Sequence, residues 1–321
     1  MVFALFLTTH ARAVSPGAPA PPATRPVPQI KRVLLISIDG LRPDVLLRAD
    51  APRIKGLMDN GAFTLWARST PASITLPTHV SMLTGVNPEV HAITWNADLP
   101  LDRPVWPLRP TLFELAKKAG YTTAMATGKN KLAVLDKPGA LDWKFIAPSH
   151  TSEDGEVTEH AVAILREHKP DFFFVHLPSV DNVGHADGWG TPQQLEAVAN
   201  ADVCVGRLLD TAKEAGVLDE TLVIVTADHG GAGRSHGAED ARSRSIPWIL
   251  CGPGVRKNFD LTRLGGETNI EVYDTFATAT AVLGIPLSQR INGRFVKEAF
   301  EGLEILQPAE VNTLQPIVGE R

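Results

Sequence analysis

Four almost purely apolar runs divide the chain: VLLISI at 33–38, DFFFVHL at 171–177, TLVIVTA at 221–227 and IPWIL at 246–250. A strand with one wet face alternates apolar and polar residues. Runs that are apolar at both parities must be covered on both faces. Segments with helical spacing lie between them. At 52–60, Ile54, Leu57 and Met58 share a face and Gly61 follows. Thr111 with Glu114 three positions on forms a capping box ahead of Leu112, Leu115 and Ala116, and Gly120 ends that helix. A short strand is expected at 122–126, and helices near 155–168 and 271–283. Thr191-Pro192-Gln193-Gln194 starts another helix, with a hydroxyl cap and Pro in the first turn. Strands alternating with helices, the strands buried twice over, predict an α/β fold: a mostly parallel sheet sandwiched by helices. The hydroxyl-rich stretch STPASITLPTHVSMLTG at 69–85 reads as a loop after a helical segment.

At 321 residues, with 44% hydrophobic and 21% charged side chains, the chain has ample material for a core. A formal charge of −5 without a long basic run argues against a nucleic-acid groove and leaves small anionic substrates open, a small phosphate-containing molecule among them. The apolar start, with Ala11-Arg12-Ala13 after it, resembles a secretory signal. The Pro- and Ala-rich residues up to 30 read as a linker. The expectation is an exported or periplasmic protein with one catalytic domain over 31–321 and no membrane span in the mature chain. Cys204 and Cys251 read as small buried hydrophobes; two distant cysteines do not define a pairing.

Each long strand hands over to polar residues. Asp39-Gly40 follows 33–38. PSVDNVGH, with Asp181 and His185, follows 171–177. Asp228-His229-Gly230-Gly231 and then His236 follow 221–227. In open α/β sheets the carboxyl ends of the strands line the ligand crevice. Three Asp and three His gathered there suit two divalent ions, zinc foremost. A threonine hydroxyl is a poor nucleophile at neutral pH, and a bound divalent ion activates it. That gives the 69–85 stretch a purpose: to present Thr75 to the metal pair.

In combination, LISIDGLRPD, SITLPTHVSMLTGVNPEVHAI, VDNVGH, TADHGG, SHG and IPWILCGPGV resemble the alkaline phosphatase superfamily, and within it the type I phosphodiesterase/nucleotide pyrophosphatase group. The match runs from residue 31 to about residue 296. The resemblance implies that Asp39, Asp228 and His229 hold one zinc with the Thr75 oxygen, and that Asp181, His185 and His236 hold the other. Thr75, in a Thr-x-Pro-x-His setting, matches the family nucleophile, which implies a phosphothreonine intermediate. His79 and His91 read as structural.

The chain departs from that group at two places. Thr78 stands where the group has Asn as a donor to a phosphate oxygen, and Asn96 is a candidate substitute. Lys129 and Lys131, in ATGKNKLAVL, resemble a lysine pair in phosphonoacetate hydrolases that binds a substrate carboxylate. Neither cysteine lies near Thr75 and no Arg follows it four residues on, which disfavours sulfate ester chemistry. Any insertions over the site are expected to be small, so the pocket is either open or covered mainly by 92–110 and 127–152, with Trp95, Trp106 and Trp143 as candidate stacking surfaces. The leading expectation is a metal-dependent hydrolase of phosphodiester or pyrophosphate bonds. The alternatives are a phosphonate or phosphomonoester hydrolase using Lys129 or Lys131, and a non-catalytic metal- or ligand-binding protein.

Overall fold

The computed structural model describes residues 25–97, 104–148, 153–237, 240–264 and 269–303. The expected leader and most of the expected linker therefore lie outside the described residues.

The strands are β1 (Arg32–Ile38), β2 (Ala62–Arg68), β3 (Thr123–Thr127), β4 (Trp143–Ile146), β5 (Phe172–Leu177), β6 (Thr221–Thr226), β7 (Ser245–Cys251) and β8 (Phe259–Asp260). They form one eight-stranded sheet in the order β4-β3-β5-β1-β6-β7-β2-β8. Only β7 runs against its neighbours; the other pairings are parallel. Every residue of β3, β5 and β6 is buried, as doubly covered strands must be. β1 lies between β5 and β6, with Ile38 opposite Leu177 and Ser37 opposite Thr226. The three central strands thus end level, and the residues beyond their carboxyl ends reach the same edge.

The helices are α1 (Pro43–Arg48), α2 (Pro52–Asp59), α3 (Thr75–Thr84), α4 (Pro88–His91), α5 (Leu112–Lys118), α6 (Asp154–His168), α7 (Ser179–Asp187), α8 (Pro192–Glu214), α9 (Ala241–Arg244) and α10 (Tyr273–Val282). One group, α1, α2, α6 and α7, packs around α8. Another, α4, α5 and α10, packs around α3. The capping box on Thr111 is present, and the Thr191 side chain accepts from the Gln194 N–H. Among the described residues no helix is long and apolar enough to cross a membrane. Cys204 and Cys251 are free thiols in α8 and at the end of β7.

Three segments depart from expectation. Residues 62–68, with no element expected between the helix at 52–60 and the stretch at 69–85, form strand β2. The stretch containing Thr75 is not a loop: TLPTHVSMLT is helix α3, with all ten residues buried. Its hydroxyls are satisfied locally: Thr84 Oγ1 donates to the Val80 carbonyl at 2.7 Å, Ser81 pairs with His91 at 3.0 Å, and Thr78 pairs with Thr70 at 2.8 Å. A polar helix can be buried when every hydroxyl has a partner. Gly85 ends α3 at φ +71°, and a Cβ there would come within 2.5 Å of the Phe276 ring on α10. Asp181 and His185 also lie on a helix, α7, where i, i+4 spacing puts both on one face.

Candidate metal centre

Asp39, Asp228 and His229 come directly after β1 and β6, while Asp181 and His185 project from α7 after β5. Thr75 is the first residue of α3, at the positive end of that helix's dipole. Gly40, at φ +73°, lets β1 come this close to α7: a Cβ there would sit 3.0 Å from both Cα and Cβ of Asp181.

His229 Nε2 is the hub. Asp228 Oδ2 lies 3.1 Å from it, Thr75 Oγ1 3.3 Å, Asp39 Oδ1 3.4 Å and Asp181 Oδ1 4.0 Å. Those three carboxylate oxygens are buried and have no hydrogen-bond partner among the described residues. A second cluster adjoins it: Asp181 Oδ1 is 3.5 Å from His185 Nε2 and 3.7 Å from His236 Nε2.

The histidine tautomers are set by their neighbours. Nδ1 of His229, His185 and His236 lies against the carbonyls of Gly230 (2.8 Å), Arg234 (3.0 Å) and Ser73 (2.9 Å). A carbonyl only accepts, so each Nδ1 carries the proton and each Nε2 presents a lone pair. His185 and His236 set two such lone pairs 3.1 Å apart. Burial and the neighbouring His229 push the His236 pKa down to about 4, which keeps that ring neutral.

The carboxylates are less easily reconciled. Burial would raise the Asp39 pKa, but the Lys129 ammonium and His176 hold it well below the usual range. Asp228 is pushed up to about 7 by burial and by the charge of Asp39. Three carboxylates face one ammonium, so negative charge stays unbalanced in a buried space even with Asp228 partly protonated. Orphaned oxygens, aimed lone pairs and excess negative charge together fit bound cations. An N/O donor set of this kind suits zinc. Two overlapping groups could each hold an ion: Asp181, His185 and His236, and Asp39, Asp181 and His229. The second differs from the expected Asp39, Asp228 and His229. Lys129 Nζ bridges Asp39 Oδ2 (2.7 Å) and Asp181 Oδ2 (2.5 Å) and holds these two side by side, with Asp228 behind them on His229.

Residues 33–240 match the family model for type I phosphodiesterase/nucleotide pyrophosphatase. The chain belongs to this family. Its fold is shared with human ectonucleotide pyrophosphatase/phosphodiesterase 5 and with a sulfatase. The catalytic subunit of human GPI ethanolamine phosphate transferase 2 is 24% identical over 324 residues, covering 94% of this chain and 32% of that protein. Human ectonucleotide pyrophosphatase/phosphodiesterase family member 1 is 26% identical over 220 residues, covering 61% of this chain and 23% of that protein. The chain thus spans a third or less of the length of these relatives. Among solved structures, murine ectonucleotide pyrophosphatase/phosphodiesterase 5, an inactive threonine-to-alanine variant in complex with AMP, superposes with a TM-score of 0.70 at 15% identity. That match covers 84% of this chain and all of that one.

In this member of the family a cavity opens over the centre. It measures about 400 Å³ and is lined by Thr75, Asn96, Lys129, Lys131, Asp181 and His185, among others. Asn96 Oδ1 accepts from the Leu76 N–H at 2.9 Å, which ties the wall of the cavity to the start of α3. Lys131 Nζ reaches the same Asn96 at 3.2 Å, and burial together with Lys129 lowers its pKa. Thr78 does not face this space. It is fully buried on Thr70. Lys129 is committed to the two aspartates. Trp143 stacks on His168 at the start of edge strand β4, a strand length from the centre. Part of the expected cover, residues 98–103 and 149–152, lies outside the described residues. His79 donates from Nδ1 to the Thr75 carbonyl (2.8 Å) and accepts from Ser37 at Nε2 (2.8 Å), so it holds the start of α3 to β1. His91 accepts from the Ile93 N–H and contacts Ser81.

Two functional residues escaped the sequence. His176 accepts from the Gly128 N–H at Nδ1, so its Nε2–H donates to Asp39 Oδ2 at 2.9 Å and orients that carboxylate. A lone histidine inside the apolar DFFFVHL run was the available signal. Trp189 donates to the Gly40 carbonyl at 2.9 Å and meets the His185 ring edge-on at 5.3 Å, backing the second cluster. Nothing in its sequence neighbourhood marked it.

Proposed function

We propose that the chain hydrolyses phosphodiester or pyrophosphate bonds through a phosphothreonine on Thr75, with divalent ions, zinc by donor type, held by Asp39, Asp181, Asp228, His185, His229 and His236. The observation that carries this reading is the convergence of three buried, unpartnered carboxylate oxygens and the Thr75 hydroxyl on one imidazole lone pair. The inactive threonine-to-alanine relative is in keeping with it. When bound, the ions would act as Lewis acids on phosphoryl oxygens and lower the pKa of the attacking hydroxyl and of water.

The chain's own groups do the rest. Thr75 Oγ1 forms a bond to phosphorus while the bond to the departing alcohol or phosphate breaks in line. Water then cleaves the Thr75 ester and restores the hydroxyl. The Lys131 ammonium, on the wall of the cavity, faces the charge on the phosphoryl oxygens. Lys129 and His176 hold Asp39 and Asp181 in place from behind. The test is metal content of the purified protein beside turnover of bis-nitrophenyl phosphate, with and without chelator. Near two zinc per chain and chelator-sensitive turnover support the reading; no metal and no turnover after zinc is restored would overturn it.

One observation favours a second reading. The Lys131 ammonium lies on the cavity with only neutral oxygens as hydrogen-bond partners among the described residues, as an arm for a second anionic group would. Phosphate release from phosphonoacetate, faster than cleavage of a nitrophenyl diester, would select a phosphonate or monoester hydrolase instead. Purely structural metal binding leaves the Thr75 hydroxyl without a role.

A further inference from the structure

A second cavity abuts the centre. It measures about 870 Å³, within the range of small-molecule sites, and runs between the first turn of α6, α7 and α8. Asn182 and His185 wall both cavities, whereas Thr75 lines only the central one. In an in-line displacement the departing oxygen leaves on the side opposite the nucleophile. A group departing away from Thr75, past His185, enters this groove.

The groove is acidic. Glu153, Asp154, Asp187 and Glu196 line it, and the basic residue on its wall, Arg207, pairs with Glu159 at 2.9 Å. Exposed carboxylates are common and recognise nothing by themselves, but Asp154 is not exposed. It is 3% accessible. Its Oδ1 accepts from the Ser179 N–H at 2.8 Å, and its Oδ2 has no hydrogen-bond partner among the described residues. Burial raises its pKa to about 6. A buried carboxylate oxygen without a donor carries a desolvation cost that a bound donor relieves.

We infer that this groove receives the departing alcohol of the substrate, and that this alcohol carries an ammonium group, as in an aminoalkyl phosphodiester. The inference rests on the phosphodiester reading of the centre and narrows it. A nucleotide or pyrophosphate leaving group would bring further negative charge against four carboxylates. An ammonium would find them, with Asp154 Oδ2 as an acceptor that has no hydrogen-bond partner among the described residues.

Two symmetrical diesters test this, bis(2-aminoethyl) phosphate and bis(2-hydroxyethyl) phosphate, on the metal-loaded full chain. The expected result is kcat/KM about tenfold or more in favour of the amine. Glu196→Gln should lower that ratio about threefold, within the range of an exposed charge pair. Asp154→Asn should lower it further; because it alters the bridge between α6 and α7, its circular dichroism is measured alongside. A ratio at or below one, a ratio that folded Glu196→Gln and Asp154→Asn both leave unchanged, or cleavage of bis-nitrophenyl phosphate alone would overturn the groove assignment. No turnover of any diester would instead overturn the phosphodiester reading beneath it.

Discussion

The two halves of the centre are built differently. Asp39, Asp228, His229 and Thr75 stand at strand ends and at a helix start, each at most 1% exposed. On the other side, Asp181 is buried, but the His185 side chain is 45% exposed and His236 comes from a Gly-rich loop. The inner half is held from behind by His176, Lys129 and His79. The outer half leans on Trp189 and on backbone carbonyls. A group that must hold the nucleophile in place needs the first kind of support, and one that lets a product leave can do with the second.

The most severe test of this contrast is Thr75→Ala. Removing the inner nucleophile should cut kcat by at least about 10³-fold while metal content and circular dichroism stay as they were. Turnover within tenfold of the parent would end its role. Next comes metal removal. Dialysis against rising chelator, followed by elemental analysis, should show two steps, with the exposed outer half emptied first. A single step would mean that the shared Asp181 couples the halves into one site. His176→Phe should weaken only the inner half, by about 10- to 100-fold in metal affinity, read by competition with a chromophoric chelator. An equal loss in both halves would make His176 a general scaffold residue. Lys131→Ala, at the cavity mouth, should raise KM for a diester several-fold with a smaller change in kcat. Thr78→Val should matter least for turnover, within about twofold, and should cost about 1 kcal/mol of stability by leaving Thr70 without its partner, read as a lowered thermal midpoint.

The sheet could be read from the sequence because buried parallel strands have no wet face to encode, so their apolar runs stand out. Short or partly exposed strands could not. β2 carries the exposed Trp66, β4 has no fully buried residue, and β8 is two residues long. α3 looked like a loop because its hydroxyls signal turns in a sequence, and only the folded chain brings up Thr70 and His91 as partners for Thr78 and Ser81. Candidate ligands could be named one by one, since each comes after a strong strand or sits in a Gly-rich turn. The group of Asp181, His185 and His236 could be named with them; the place of Asp181 beside Asp39 and His229 could not.

What the sequence by itself determined is the order of strands and helices and the delivery of acids and imidazoles to one sheet edge, because side-chain periodicity and chain direction are local properties. The tertiary structure decided which oxygens are left without partners and which lysine is spent. It also decided that Thr78 turns away while His176 turns in, and that an acidic groove opens beside His185. Those are properties of side chains from distant segments meeting in a space that excludes water, where an unpaired charge is costly and a partner from 137 residues away, as His176 is to Asp39, can supply what no neighbour does.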